Sequence, residues 1–496
     1  MSTFQHGVAS GDPLPHRVIL WTRVTVPHQN PVDVQWEIAE DAAFTRGVQS
    51  GSTCAYHEDD HTVSVDPAGL RPSTRYFYRF HAEGETSLTG RTKTLPETGA
   101  THLRFAQASC AKFNAGYFNA YARMAERDDL DFLLHLGDYI YEASNTPPAG
   151  QTPGADIGRP FEPLHECKTL EDYRTRYGQY HRDPDVQAMH AALPLITTVD
   201  DHEFADGAWR GGADVHDENR DGAWSDRLKT CFRARAEWLP VRHPDPDDPA
   251  RVYRKVELGG LADIFLINTR THRDQPIPPP EMYEDHRTAL GHEQREWLFR
   301  EFAESKARWR VLGNPSVLST TWKENYPEDV KLPLLKTKLI ASDGKSVDYD
   351  QWDGYPAERR RLFELFRQHR GNIVVLSGDI HVCMAFELKG DPFDEGEEVS
   401  AVEFINTSLT SQNLDDKMKW AARTDSLKHE DALLRAFPHL KWCDLDSHGF
   451  NIVDVTPERV QVEYWLVDTV LQRTKDANLG AIWEVKHGVP KLQQVA

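Results

Sequence analysis

The sequence lacks any apolar run long enough to cross a bilayer, and its first residues, MSTFQHGVASGDP, lack the basic and apolar segments of a signal peptide. Hydrophobic residues make up 39% of the 496 positions and charged residues 27%, which is the balance of a soluble globular protein. The composition therefore excludes a helical membrane protein. Localisation stays open between a protein that remains inside the cell and the mature form of an exported one.

Paired cysteines are also missing. The six cysteines, at positions 54, 110, 167, 231, 383 and 443, form no CxxC pair and have no regular spacing. They predict no disulfide scaffold, and they leave the redox compartment open.

Positive charge is scarce, with 57 basic against 78 acidic side chains and a formal net charge of -21. Nucleic acid and anionic membranes would be repelled at long range, so we expect no nucleic-acid-binding surface. A ligand that carries phosphate would need local compensation of its charge, which bound cations can supply.

The chain is long enough for two or three domains, and its patterning changes near residue 97. Residues 17–96 contain short alternating runs such as RVILWTRVT, VDVQWEIAE and STRYFYRFHAEG, which predict an antiparallel β-sandwich. The segment GLRPSTRYFYRF has the spacing of the corner of a fibronectin type III or immunoglobulin-like module. We predict an N-terminal β-sandwich domain over 1–97 and a second domain over 98–496 that closes with a hairpin and a tail.

Beyond that boundary, apolar runs alternate with amphipathic helical patterns, which indicates an α/β layered domain. Five apolar runs end abruptly in polar residues: LRFAQASC, DFLLHLGDYIYE, LPLITTVDDHE, DIFLINTRTHR and NIVVLSGDIH. In open α/β sheets the ligand lies beyond the carboxyl ends of the strands, so we expect these ends to meet at one site. Four long segments rich in Pro, Gly or acids, at 144–163, 210–222, 274–285 and 389–398, are either walls of that site or mobile surface loops.

Two of the strand ends supply pairs of candidate metal ligands. In GDYIYE, Asp138 closes a buried strand and Tyr141 lies one turn further on, so a carboxylate and a phenol can reach the same metal. A turn cap and a packed tyrosine are the alternatives. In LSGDIH, Asp379 and His381 have the spacing at which residues of an extended strand face the same side. A hydrogen-bonded core histidine is the alternative there.

Two other strand ends add acids and a thiol. The segment VDDHEFAD places four acids and one histidine directly after an apolar run: Asp200, Asp201, His202, Glu203 and Asp206. Such acids would repel one another, and a multivalent cation would relieve the repulsion, a solvated acidic turn being the alternative. Cys110 by itself is best explained as a small buried hydrophobic residue, and only its neighbouring strand ends make it a candidate ligand.

Together these pieces resemble the calcineurin-like metallophosphoesterase signature GD-x-x-[DY], GNH[DE] and GH-x-H, which appears here as GDYIY, DDHE and GDIH. The chain as a whole resembles the alkaline phosphatase D (PhoD-like) family of metallophosphoesterases. Segments that carry this resemblance in order are HGVASGDP, VILWTRV, ASC, HLGDYIYE, DDHEFAD, NTRTHRDQP, LGHEQREWL, QWDGYPAERRRL, VVLSGDIH and HGFNIVDVTPERVQVEYW. The resemblance implies an α/β fold, a calcineurin-like αββα sandwich, preceded by an immunoglobulin- or fibronectin-III-like β-sandwich.

The resemblance also implies two cation positions. The first has four candidate ligands: Cys110, Asp138, Tyr141 and His381. Thiolate, carboxylate, phenolate and imidazole donors suit a transition metal and favour Fe³⁺. The second has only oxygen donors, from Asp138 as a bridge with Asp201 and Asp379, and it suits Ca²⁺, with Mg²⁺ or Mn²⁺ as alternatives. Three further acids are candidates for another calcium: Asp200, Glu203 and Asp206.

The implied reaction is the hydrolysis of phosphate esters. Paired cations would polarise the phosphoryl oxygens and lower the pKa of a bound water, which attacks phosphorus in line with the leaving oxygen. His202 is the candidate that stabilises the transition state or protonates the leaving alkoxide. Arg270 and Arg273 are candidates to bind the non-bridging oxygens, with a surface ion pair as the alternative. The chain departs from the family pattern at one point, because the family segment usually reads Asp-Thr-Arg where this chain has Asn268-Thr269-Arg270.

Two other functions stay open beside an alkaline phosphatase that acts on small phosphate monoesters and on diesters. The same cations can serve a phosphodiesterase or a phospholipase D that acts on phospholipid. Outside enzymes, the alternative is a surface binding protein in which the metal site serves only stability. The oligomeric state is open.

Overall fold

Two large β-sheets stacked face to face form the centre of the protein. The computed structural model describes residues 2–146, 154–242, 248, 250–320, 348–369 and 371–496. Within these ranges the two large sheets have ten and seven strands, and a third sheet of five strands belongs to the N-terminal part.

The strands of the described residues follow in chain order. They are β1 (Val8–Leu14), β2 (Arg17–Arg23), β3 (Val32–Ala39), β4 (Gln49–Ala55), β5 (Thr62–Val65), β6 (Arg75–Ala82), β7 (Glu85–Thr86), β8 (Gly90–Lys93), β9 (Leu103–Ala108), β10 (Leu133–His135), β11 (Leu195–Thr197), β12 (Arg254–Leu258), β13 (Ala262–Leu266), β14 (Trp309–Asn314), β15 (Ile373–Ser377), β16 (Cys383–Leu388), β17 (Ala401–Ile405), β18 (Leu440–Asp444), β19 (Gly449–Val455), β20 (Arg459–Val467), β21 (Ala477–Lys486) and β22 (Val489–Gln494).

The helices within the same ranges are mostly short. They are α1 (Asn119–Ala125), α2 (Leu170–His181), α3 (Pro184–Ala192), α4 (Glu218–Asp221), α5 (Trp224–Trp238), α6 (His292–Glu304), α7 (Pro356–Gln368), α8 (Leu414–Met418) and α9 (Asp425–Ala436), with 3₁₀ turns at His57–Asp59, Glu281–Tyr283 and Trp352–Gly354. Capping residues explain where two of these helices begin. Thr169 and Asp172 form a reciprocal capping box before α2, and Asp183 caps α3, which begins with a proline.

The two large sheets each contain parallel strands whose carboxyl ends point to the same edge. In the ten-stranded sheet the order is β22-β21-β20-β19-β9-β10-β11-β1-β2-β5, and β9, β10 and β11 are parallel. In the seven-stranded sheet the order is β12-β13-β14-β15-β17-β16-β18, and β13, β14, β15 and β17 are parallel. All five residues of β15, IVVLS, are buried because both faces of the sheet are covered.

Three apolar layers define an αββα sandwich. Phe105 and Leu134 from the ten-stranded sheet pack with Ile264 and Val374 from the seven-stranded sheet in the central layer. Helices α1, α2, α3 and α5 contribute to the apolar cluster on the outer face of the ten-stranded sheet. Helices α6, α7 and α9 contribute to the cluster on the outer face of the seven-stranded sheet. The predicted calcineurin-like layering is confirmed.

The N-terminal part is a β-sandwich. The sheet β4-β3-β6-β7, with β8 paired to β6, shares an apolar core with β1, β2 and β5. The expected corner is present, since the Tyr76 hydroxyl accepts a hydrogen bond from the Arg71 N–H at 2.8 Å. However, β1 also pairs in parallel with β11, so the ten-stranded sheet runs through both parts. The boundary between residues 97 and 98 stays a prediction.

Left-handed backbone follows the strands that lead to the predicted site. Cys110, Asp138, Asp379 and His381 have φ values of 62°, 56°, 70° and 62°. Non-glycine residues rarely adopt this conformation, and where they do the surrounding contacts must hold them. Gly137 has φ of 107°, and a Cβ there would lie 2.5 Å from the backbone nitrogen of Asp200. The loops after β10 and β11 can therefore approach each other only if residue 137 is glycine.

We expect Gly137→Ala to lower the free energy of unfolding by about 3 kcal/mol, because it adds backbone strain and a clash with the Asp200 backbone. Gly84→Ala is the matched control, since Gly84 also has positive φ but has open space around its Cβ position, and it should cost about 1 kcal/mol. Thermal and denaturant unfolding of both variants measure the difference. Equal losses would mean that the approach of the two loops is not limiting.

Candidate metal centre

The polar ends of the parallel strands meet where the two sheets face each other. Within the described residues, three groups have candidate ligand atoms that all lie within 4.8 Å of one another: Cys110, Asp138 and His381; Asp138, Asp201 and His202; and Asp138, Asp200, Asp201 and Asp379. Asp138 belongs to every group, which is the placement expected of a carboxylate that bridges two cations. The expected convergence of strand ends is therefore present in the structure.

Tyr141 lies at the first group. Its hydroxyl donates to Asp138 Oδ2 at 2.8 Å, accepts from the Ser411 hydroxyl at 2.7 Å and lies 3.4 Å from His381 Nε2. The His381 Nδ1 atom lies 3.1 Å from the backbone carbonyl oxygen of Gln412. A proton on Nδ1 leaves the Nε2 lone pair directed at the centre, as in metal-binding histidines. All four residues predicted for the first cation are thus in one place.

Asp379 and His381 do not lie on an extended strand end, so that sequence prediction was wrong. Strand β15 ends at Ser377, and both residues have positive φ, so they do not alternate along an extended strand. A tight turn instead directs the two side chains to different groups. Asp379 joins the four carboxylates of Asp138, Asp200, Asp201 and Asp379, here called the acidic group, and His381 joins Cys110 and Asp138, here called the thiol group.

Burial without enough positive charge governs the electrostatics of the acidic group. Burial, reinforced by Asp201 and Asp379, holds the pKa of Asp138 well above its usual range. Burial likewise raises the pKa of Asp200 and of Asp379. Asp200 Oδ2 is buried and has no hydrogen-bond partner within the described residues. Divalent or trivalent cations would satisfy these oxygens, so the residues present fit a metal centre.

Cys110 and Tyr141, like the buried acids, would ionise only with a cation close by. Burial raises the pKa of Cys110 and of Tyr141 well above their usual ranges, and the nearby Asp138 raises both further. A cation that coordinates these atoms stabilises their anionic forms. The mixed donor set of sulfur, phenol oxygen, carboxylate and imidazole is that of a transition-metal site.

Arg270 inserts its guanidinium group among the acids. The side chain is fully buried, and its Nε donates to Asp200 Oδ1. Its Nη1 donates to Asp350 Oδ2 at 2.6 Å, and its Nη2 lies 3.0 Å from Asp379 Oδ2. The geometry at Nη2 does not make a hydrogen bond with any described residue, although the ion-pair distance is short. Although burial opposes it, Arg270 together with His202 lowers the pKa of Asp201.

Arg273 is also buried, so the alternative of a surface ion pair is wrong for both arginines. Its Nη2 and Nη1 donate to the carboxylate and backbone oxygens of Asp350 at 2.6 and 2.7 Å, and its Nε donates to the Ala208 carbonyl at 3.0 Å. Asp350 was missed in the sequence analysis, because QWDGYPAERRRL begins one residue after it. The one sequence feature that indicates Asp350 is its position as an acid directly before the segment QWDGYPAERRRL.

His202 is held by a carboxylate outside the acidic group. Its Nδ1 lies 2.8 Å from Glu142 Oε2, and its ring packs against Tyr141 with 4.0 Å between ring centroids and 31° between the ring planes. Although burial opposes the charged form, Glu142, Asp138 and Asp201 raise the pKa of His202 well above its usual value. These three carboxylates therefore favour the protonated form of the His202 ring, whose Nδ1 is paired with Glu142.

Glu203 and Asp206 do not join the candidate metal groups of the described residues. The Glu203 carboxylate accepts hydrogen bonds from the backbone N–H groups of Asp138, Tyr139 and Asp200 at 3.1, 2.6 and 2.6 Å. These three bonds give both oxygens of Glu203 a structural role, and the binding of a further calcium by Glu203 stays a prediction. Glu203 joins the loops after β10 and β11.

Asn268 organises the turn that carries Arg270. Its Oδ1 accepts hydrogen bonds from the N–H groups of Arg270 and Thr271, and its Nδ2 donates to the Thr271 hydroxyl at 2.7 Å. An aspartate could accept the same two N–H groups and take a bond from the Thr271 hydroxyl. The departure from the family pattern at this position therefore preserves the turn geometry.

A cavity of about 190 Å³ opens beside His202, Glu142 and Asp206. Ser144 and Val215, from two of the long segments singled out in the sequence, line it. Residues 147–153 of the first segment lie outside the described residues. Among the helices of the described ranges, none has the length and hydropathy needed to cross a membrane.

The comparisons with known proteins agree with this geometry. The sequence profile of the PhoD-like phosphatase family matches residues 105–464, and that of the N-terminal domain of PhoD-like phosphatases matches residues 1–96. Alkaline phosphatase D of Bacillus subtilis (strain 168) is 34% identical over 95% of this chain and 78% of its own length. A solved structure of PhoD is 31% identical and superposes with a TM-score of 0.87 over all of this chain and 92% of that one.

These matches cover both parts of the molecule and include every strand end at the metal centre. The chain therefore belongs to the PhoD-like phosphatase family and is a phosphoric ester hydrolase homologous to alkaline phosphatase D.

Proposed function

We propose that this protein hydrolyses small phosphate monoesters, and diesters more slowly, at the centre shared by Asp138. The observation that carries the proposal is that Asp138 belongs both to the group with Cys110 and His381 and to the group of four carboxylates, while the buried Arg270 lies among those carboxylates. His202 lies beside the same acids, and Arg273 is linked to Arg270 through Asp350. When bound, cations at this centre supply polarisation of the phosphoryl group and activation of a water molecule. A phosphate ester is the ligand whose charge suits cations, guanidinium and imidazolium together.

The donor sets support different cations at the two positions. Cys110, Tyr141, His381 and Asp138 would hold Fe³⁺, because a thiolate and a phenolate stabilise a trivalent transition metal. Asp138, Asp201 and Asp379 would hold Ca²⁺, with Mg²⁺ or Mn²⁺ as substitutes, because hard cations prefer carboxylate oxygens.

His202 and the arginines have separate tasks in this proposal. Glu142 holds His202 through Nδ1, so Nε2 can donate a proton to the leaving alkoxide oxygen. Arg270 has an Nη2 group without a hydrogen bond, which can bind a non-bridging phosphoryl oxygen. All three guanidinium nitrogens of Arg273 donate hydrogen bonds to protein oxygens. Arg273 therefore supports the site through Asp350 unless substrate displaces one of these bonds.

Phosphodiesterase or phospholipase D activity is the second candidate. The cavity beside His202 favours it, because this space can receive a second ester group on the side where a leaving group would depart. Its wall carries Glu142 and Asp206, which disfavour an anionic group there. The alternative of a binding protein without catalysis is not favoured, since membership in a phosphatase family and the buried charged groups both point to turnover.

The direct test compares p-nitrophenyl phosphate, its bis-ester and phosphatidylcholine on the metal-loaded protein. We expect the monoester to have the highest kcat/KM, and activity to disappear with a chelator and return with added cations. Asp138→Asn should abolish turnover of all three substrates, which excludes a contaminating phosphatase. A protein that carries metal yet hydrolyses only diesters would contradict the monoester proposal.

The iron proposal predicts a visible absorption band from tyrosinate to Fe³⁺ charge transfer. Tyr141→Phe should remove the band and lower the iron content, because the hydroxyl near His381 is lost. Tyr139→Phe is the control, since the Tyr139 hydroxyl bonds to His190 at 2.6 Å and lies outside the candidate groups. Metal analysis and visible spectra decide the outcome. A colourless, iron-free and fully active protein would refute this assignment.

The role of His202 predicts non-additive kinetics. Glu142→Gln should lower kcat about 100-fold with little change in KM, because the imidazole loses its charged partner. His202→Ala should lower kcat at least as much, and the double variant should be no slower than His202→Ala alone. Glu166→Gln is the control, since Glu166 lines the same cavity but pairs with Arg227 at 2.8 Å. Additive losses in the double variant would mean that Glu142 and His202 act separately.

A further inference from the structure

Two consecutive residues connect the arginine pair to the acidic group. Asp350 contacts Arg270 and Arg273, and the next residue, Gln351, donates from Nε2 to Asp379 Oδ2. Neither residue lies at the end of a β-strand, and neither belongs to the candidate metal groups. The same short segment thus contacts both halves of the centre, which are the arginine pair and the acidic group.

Asp350 divides its carboxylate between the two arginines. Its Oδ2 accepts from Arg270 and its Oδ1 from Arg273, each at 2.6 Å. Two buried guanidinium groups repel each other, and a carboxylate between them offsets that repulsion while it fixes both orientations. Arg270 and Arg273, despite the opposing effect of burial, hold the pKa of Asp350 far below its usual range. Asp350 is therefore an anion whenever the site is folded at neutral pH.

Gln351 is itself held in place. Its Oε1 accepts from the Val317 N–H at 2.7 Å, and the next residue, Trp352, donates from Nε1 to Asn314 Oδ1 at 3.0 Å. Asn314 is the last residue of β14, so the segment is anchored to the seven-stranded sheet. The Gln351 amide can thus fix one oxygen of Asp379 with little freedom of its own.

We propose that Asp350 and Gln351 are positioning residues that set the two halves of the centre independently. Asp350, held from its other side by Arg273, orients Arg270 for the phosphoryl oxygens, and Gln351 orients the Asp379 carboxylate for the second cation. This inference rests on the proposed function, because it assigns phosphate to Arg270 and a hard cation to Asp379.

Asp350→Glu separates position from charge. The substitution keeps the negative charge, but its longer side chain cannot keep the same two bonds to the arginines. We expect the Kd for inorganic phosphate and the KM for p-nitrophenyl phosphate to rise about tenfold or more, while calcium affinity changes less than twofold. Isothermal titration calorimetry with phosphate and with calcium measures both affinities without turnover. A variant that binds phosphate like the wild type would overturn the proposal, because charge alone would then suffice.

Gln351→Met gives the complementary test, because it removes the amide donor and keeps a side chain of similar length. We expect calcium affinity to fall about tenfold and phosphate affinity of the calcium-saturated protein to stay within twofold. Asp353→Glu is the matched control, since Asp353 lies in the same segment but accepts a hydrogen bond from Thr320. Melting temperatures of all variants check that the segment is still folded.

The outcomes distinguish this inference from the proposed function. If the wild type hydrolyses phosphate esters and the two variants leave both affinities unchanged, the positioning roles are wrong and the function stands. If the wild type hydrolyses no ester but Asp350→Glu weakens phosphate binding as expected, the phosphatase proposal fails while the arrangement of the arginines is correct. If both variants weaken both ligands equally, the two halves are not independent and the proposal is overturned.

Discussion

Repulsion among buried carboxylates around Asp138 is the constraint on which the centre depends. Asp138, Asp200, Asp201 and Asp379 present oxygens within 4.8 Å of one another in a place from which water is largely excluded. Each charge buried there has a large desolvation cost unless an opposite charge lies close to it. Arg270 and the imidazolium of His202 supply part of that charge. Protons on the carboxyl groups whose pKa is raised, or bound cations, can offset the remainder, so the residues that are costly to ionise together are suited to hold metal.

The fold can hold this arrangement because other parts of the molecule fix the loops. The central layer of the αββα sandwich brings the carboxyl ends of parallel strands from both sheets together. Gly137 lets the loops after β10 and β11 approach closely, and Glu203 joins their backbones by three hydrogen bonds. The left-handed residues at the strand ends are the local cost of turning ligands inward. The packed layers of the sandwich therefore support strained and highly charged loops at the carboxyl ends of the parallel strands.

The parts of the site that the sequence predicted are those carried by strand ends. Cys110, Asp138, Asp201 and Asp379 each follow an apolar run, and the rule that ligands lie beyond parallel strands was enough to place them together. The pattern of apolar runs likewise predicted the sandwich layers. Local spacing was a poorer guide, since the extended strand expected at Asp379 is a tight turn.

What the sequence did not reveal depends on contacts made across long stretches of chain. Asp350 meets Arg270 from a position eighty residues away, and Glu142 meets His202 from sixty residues away. No periodicity or spacing encodes such contacts, because they arise only when the sheets stack and the loops pack. An acid beside a quoted segment gives no sign of which arginine it will reach. Supporting residues are therefore harder to predict than the ligands that they support.

Arg270 would compete with cations for the oxygens of the acidic group. Its Nε already neutralises one oxygen of Asp200, and its Nη2 lies beside Asp379. A cation that used Asp200 as a main ligand would have to share it with a guanidinium group at close range, which like-charge repulsion disfavours. Arg270 Nη2 also lies 3.7 Å from Asp201 Oδ1, so the guanidinium group is close to three of the four acids, and only Asp138 is free of it. Arg270 thus supplies positive charge inside the acidic group, and a cation bound there would have to share these oxygens with it or displace it.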